Sequence, residues 1–95
     1  MAQPPAFQFY AADFLCGTAR MSAEDVGHYI RLLAHQWVGG PLTEQEGTLF
    51  VGGTIPAAVL SKFAVVNGKL TNLRLEQERT KQNSFRQSKV NAGKA

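Results

Sequence analysis

The stretch from Ser22 to Val38 constrains this chain most, because start and stop signals bracket a single amphipathic period. Ser22 can cap a helix, Asp25 at the third helical position supplies an Asp variant of the capping box, and Met21 can staple onto Val26. At 100° per residue Val26, Ile30, Leu33 and Trp37 fall within an arc of roughly 60°, with Tyr29 beside it. Glu24, His28, Arg31 and His35 form a stripe on the far side, open to water or to a partner. Gly39-Gly40 and Pro41 end the helix. Trp37 and Tyr29 could serve as base-stacking platforms, but at helical spacing with Ile30 and Leu33 they read as core.

The elements around this helix are short. Phe7-Gln8-Phe9-Tyr10 alternates with the period of a strand and predicts a short strand or extended arm. Asp13-Phe14-Leu15 with Gly17-Thr18 predicts a turn in which Asp13 and Thr18 bond local backbone. Thr43 with Glu46 three residues on predicts a short helix, with Leu49 and Phe50 inward, ending at Gly52-Gly53. Thr54 can cap a third helix with Pro56 in its first turn and Val59, Leu60 and Phe63 on its apolar side. Asn67-Gly68 between Ala64-Val65-Val66 and Lys69-Leu70-Thr71 predicts a β-hairpin, since both central residues of a type I′ turn need positive φ. Asn72 can cap a last helix, which frays into a polar tail. Ninety-five residues hold one core. The expected organisation is a single domain over 1–80 and a basic polar tail, frayed or disordered, over 81–95.

Charge is unevenly placed. Up to Ser61, Arg20 and Arg31 face Asp13, Glu24, Asp25, Glu44 and Glu46, a net −3. From Lys62 onward, Lys62, Lys69, Arg74, Arg79, Lys81, Arg86, Lys89 and Lys94 face only Glu76 and Glu78, a net +6. A basic end on a slightly acidic body points to an anionic partner, or else to a solubilising tail. The tail has no aromatic or leucine face to enter lipid, so nucleic acid is expected before membrane. The N-terminus lacks the basic start and apolar run of a signal peptide, and no apolar run is long enough to span a bilayer, so the expected location is the cytoplasm. Cys16 is alone and reads as a small buried hydrophobe.

Catalytic and cofactor patterns are missing. His28 and His35 lie about 10 Å apart along the helix axis, too far to share one metal. The glycine pairs terminate helices instead of cradling phosphate, and the pairs Glu24/Asp25, Glu44/Glu46 and Glu76/Glu78 suit helix first turns or charged surface. No nucleophile, base and orienting group can be assembled, so the expectation is a non-catalytic protein with no cofactor and no metal.

The element order is that of a winged helix within a mainly helical α+β fold: three helices, a β-hairpin wing, a C-terminal helix and a basic tail. The third helix offers Thr54, Ser61 and Lys62 but no Arg, Asn or Gln for bidentate base contacts, so sequence readout is poor. Lys62, Lys69, Arg74 and Lys81 are placed for a sequence-tolerant, salt-dependent grip on phosphates. The competing reading is an adaptor that docks proteins through Glu24, His28, Arg31 and His35 or through the bare third helix around Ala57 and Ala58.

Phe9-Tyr10 with Asp13-Phe14-Leu15 and Thr18, then Met21, Glu24, Gly27, Tyr29, Leu32, Leu33 and Trp37, form a spaced pattern over most of the chain. It continues through Lys62-Phe63, Asn72, Leu75-Glu76 and Glu78-Arg79. In this pattern the chain resembles the YdaU-like family of small prophage proteins, often associated with phage replication genes. Two departures stand out: the stretch between Leu42 and Lys62 is short, and Thr43 stands where a proline usually follows the leucine. The resemblance implies an N-terminal winged-helix module of a replication initiator or primosome protein, binding DNA without strong specificity. It also implies partners such as a replication helicase, a helicase loader or another phage protein.

Overall fold

The structure, a computed structural model, describes the backbone of residues 6–93 and the side chains of residues 6–84. The Pro-Pro opening, Lys94 and the side chains of Arg86 and Lys89 therefore lie outside the described residues. In chain order the elements are α1 (Ala11–Gly17), α2 (Ala23–Gly39), α3 (Glu44–Val51), α4 (Ala57–Leu60), β1 (Ala64–Val66), β2 (Lys69–Thr71) and α5 (Leu73–Gly93). The result is a mainly helical α+β domain with one antiparallel hairpin.

Where a turn was expected, Ala11-Ala12 with Asp13 in the first turn form seven helical residues, favoured by alanine propensity and by a carboxylate at the positive end of the helix. Thr18 ends it and donates its hydroxyl to the Phe14 carbonyl at 2.8 Å, the local bond expected of it. Asp13 does not bond local backbone but pairs with Arg74. No residue of α1 is buried, and Cys16, expected in the core, is exposed.

In α2, Ser22 Oγ accepts from the Asp25 N–H at 3.1 Å as expected. Gly40, at φ 87°, ends the helix with its N–H on the Gln36 carbonyl. Its buried face is turned from the expected arc by roughly 60° at 100° per residue. Leu32, Leu33, Gln36 and Trp37 are buried, whereas Val26 and Ile30 are half-buried. The cause is that α2 is packed on two sides. Leu32 joins Leu42, Ile55, Val59 and Leu70 in one cluster, while Leu33 joins Trp37 and Leu75 in another; Tyr29 and Phe63 pack against both.

Thr43 and Glu46 complete a reciprocal capping box on α3, Thr43 N–H donating to Glu46 Oε1 at 2.9 Å and Glu46 N–H to Thr43 Oγ1 at 3.1 Å. Of the two residues expected inward on α3, Phe50 packs half-buried against the first cluster, whereas Leu49 is 74% exposed; the buried position of the helix is Gly47. The third helix shrinks to one turn. Pro56 occupies its N-cap without a side-chain bond, so Thr54 is not the cap, and Phe63 lies past the helix end.

The hairpin forms at the expected residues, with Asn67 at φ 53° and Gly68 at φ 76°, and pairs Ala64 with Thr71, Val65 with Leu70 and Val66 with Lys69. Leu42 adds a bridge to the outer edge of β2, exchanging two backbone hydrogen bonds with Leu70. Asn72 then caps α5, its Oδ1 accepting from the Leu75 N–H at 3.0 Å. The same residue is tied to the fully buried Gln36. Asn72 N–H donates to Gln36 Oε1 at 2.8 Å, and Gln36 Nε2 donates to the Asn72 carbonyl at 3.1 Å. Helix α5 runs through residue 80, the expected domain limit, and on to Gly93.

Candidate nucleic-acid interface

The residues expected to meet phosphate separate into two groups. Lys69 opens β2 at the hairpin turn and Lys81 stands on α5, and both side chains are exposed. Lys62 and Arg74 are engaged within the domain. Lys62 Nζ donates to the Gly17 carbonyl at 2.5 Å, across the C-terminal end of α1, where a cation suits the helix dipole. Arg74 Nη2 donates to Asp13 Oδ2 at 2.7 Å, and its guanidinium lies 5.3 Å from the centre of the Tyr10 ring. The hydrogen bond that Arg74 donates to Asp13 holds it further toward its protonated form than an ordinary arginine.

Thr54 and Ser61 do not add to this surface as base readers. Ser61 Oγ donates to the Ala58 carbonyl at 2.7 Å, and Thr54 sits in the exposed connection before α4. A helix of four residues is about 6 Å long, too short to lay several side chains along a groove.

The stripe of Glu24, His28, Arg31 and His35 is only partly open. His28 Nε2 is 3.7 Å from Glu24 Oε1, Arg31 Nη1 reaches the Phe50 carbonyl at 3.5 Å, and the His35 ring stacks on Phe50 with centroids 3.6 Å apart. The end of α3 thus touches Arg31 and His35, by contacts between residues well separated in sequence, while both stay exposed. Among the described residues no group of three or more His, Cys, Asp or Glu side chains is placed to hold a metal ion. No helix among them is long and apolar enough to cross a membrane.

Sequence reasoning missed Arg79. Its guanidinium donates to the carbonyls of Gln36 and Trp37 at 2.8 and 2.9 Å, lies 4.6 Å from the Trp37 ring centre and pairs with Glu76 at 3.2 Å. It therefore closes the C-terminal end of α2 and counts as scaffold. A Trp one turn before a Gly-Gly stop, with arginines later in the chain, was the available hint.

A cleft of about 240 Å³ opens between the N-terminal arm, α1, α2 and α5. Phe9, Phe14 and Tyr29 wall it, Leu33 and Leu75 lie deeper, and Lys62 and Arg74 stand among its lining residues. Burial pushes the Tyr29 hydroxyl above its usual 10.0, against the opposing hydrogen bond from Asn72. Compared with known protein families, curated proteins and solved structures, the chain matches none.

Proposed function

We propose that this domain binds nucleic acid without reading its sequence, gripping phosphates through Lys69 on the hairpin and through Lys81 and the basic residues beyond it on α5. The observation that carries the reading is the composition of α5. After Arg79, which α2 engages, the helix holds Lys81, Arg86 and Lys89 and no Asp or Glu, and it continues without a break to Gly93. A helix about 30 Å long with no carboxylate in its outer part attracts a polyanion by charge alone. The single turn of α4 supports sequence tolerance. The order α2, α3, α4, hairpin, α5 supports a winged-helix-like domain in which the hairpin is the wing. Together with the YdaU-like residue pattern, this supports a role as an accessory module of phage-type DNA replication.

Titration of a labelled duplex at two salt concentrations tests the proposal. Binding should weaken steeply with salt, and Lys69→Glu and Lys81→Glu should each lower affinity and flatten the dependence of log K on log salt by about one unit or more. No binding at low salt would sink the reading. The adaptor alternative draws on a different observation, the exposure of Val65 and Leu49, apolar side chains that nothing in the domain covers. A protein retained from lysate after nuclease treatment, without DNA binding, would favour it.

A further inference from the structure

Four aromatic rings run in a row from the surface to the core. Phe9 lies 5.1 Å from Phe14, Phe14 is stacked nearly parallel on Tyr29 at 5.8 Å, and Tyr29 meets Phe63 edge-on at 6.0 Å. The inner end is closed by core. The outer end is open: Phe9 is 52% exposed and Tyr10 40%, with the Arg74 guanidinium over the Tyr10 ring. Phe9 and Tyr10 thus present neighbouring ring surface to solvent beside a cleft and a cation, a surface suited to a planar partner.

The chemistry of the surroundings selects the occupant. Within the cleft Lys62 and Arg74 are balanced by Asp13 and Glu78, so the cleft itself has little pull on an anion. The pull comes from Lys81, three residues beyond the cleft residue Glu78 and on the same side of α5, and from the carboxylate-free part of that helix. A polyanion drawn there and carrying flat, weakly polar rings is a nucleic acid. In a duplex both faces of every internal base are already covered by neighbours, whereas an unpaired base has a face free to extend the row at Phe9. Resting on the phosphate-binding reading above, we propose that Phe9 and Tyr10 form a stacking platform for an unpaired base, making single-stranded nucleic acid the preferred ligand. Arg74 beside the platform exchanges the exposed Asp13 carboxylate for a phosphate oxygen.

The test compares an oligothymidine strand with a duplex of equal length by fluorescence anisotropy at one salt concentration. Wild type should prefer the single strand. Phe9→Ala should weaken it on the order of tenfold, with duplex affinity unchanged, and Phe9→Tyr should retain it. Far-UV circular dichroism of each variant reports whether the fold is kept. If Phe9→Ala and Tyr10→Ala leave single-strand binding intact while Lys81→Glu abolishes it, the platform is overturned and phosphate gripping stands. If neither oligonucleotide binds at low salt, both fall. If wild type retains a nuclease-resistant protein partner that Phe9→Ala loses, the platform serves an aromatic side chain of that partner, and the proposal is overturned.

Discussion

Gly47 shows how much a missing side chain contributes. A Cβ there would lie 2.8 Å from Ile55 Cδ1 and 3.2 Å from Leu70 Cδ1, so an added methyl would have to push the ends of these two buried side chains aside. Two effects compete in Gly47→Ala. The helix gains about 1 kcal/mol of propensity, and the overpacked contact costs about 1–3 kcal/mol. The contact should win by about 1 kcal/mol in urea unfolding. Combining Gly47→Ala with Ile55→Val, which deletes the offending methyl, should recover part of the loss; a Gly47→Ala protein more stable than wild type would refute the close approach. Gln36 is the matching case among polar residues. It is fully buried, and its amide is satisfied only because Asn72 and Glu76 meet it from 36 and 40 residues away.

At the scale of elements, the capping box of α3 makes a prediction about pH. The Thr43 N–H donating to Glu46 holds that carboxyl below its usual 4.5, helped by the Thr43 hydroxyl and, more weakly, by the charge of Lys69. A lowered folded-state value means that this stability is fully present above pH 4.5 and is lost as pH falls through the lowered value. Thermal midpoints followed from pH 6 to pH 3 should therefore fall more steeply in wild type than in Glu46→Gln; parallel curves would show that the box carries no charge-dependent stability. The box, the Ser22 cap, the Asn72 cap and the Asn67-Gly68 hairpin were all legible in the sequence because each depends on residues within a few positions. The rotated face of α2 was not, since Leu32 is buried by the hairpin and α4, which only tertiary packing brings there. Nor was α1, whose seven residues make fewer than two turns, too short to show a period. The same reason hid half of the candidate site: Lys62 and Arg74 looked free, but their partners lie 45 and 61 residues away.

Over the whole molecule, two core clusters share Tyr29 and Phe63 and use the neighbouring residues Leu32 and Leu33 of one helix. Neither cluster can open without disturbing α2, so unfolding should be a single transition. Leu32→Ala deletes buried volume from the cluster that lacks Trp37 and should cost about 2–5 kcal/mol. Far-UV circular dichroism and Trp37 fluorescence should then shift to the same lower midpoint; separate midpoints would divide the domain into independent halves. The charge pattern acts at this scale as well, since the chain up to Ser61 carries a net −3 and the rest a net +6, within a particle 52 Å long.

The junction at Asn72 has a mechanical meaning. Helix α5 is a stiff lever of about 30 Å whose fulcrum is the pair of hydrogen bonds between Asn72 and Gln36, backed by Arg79 against Trp37. A pull on the outer end of the helix is therefore passed to α2 through Asn72, Gln36 and Arg79.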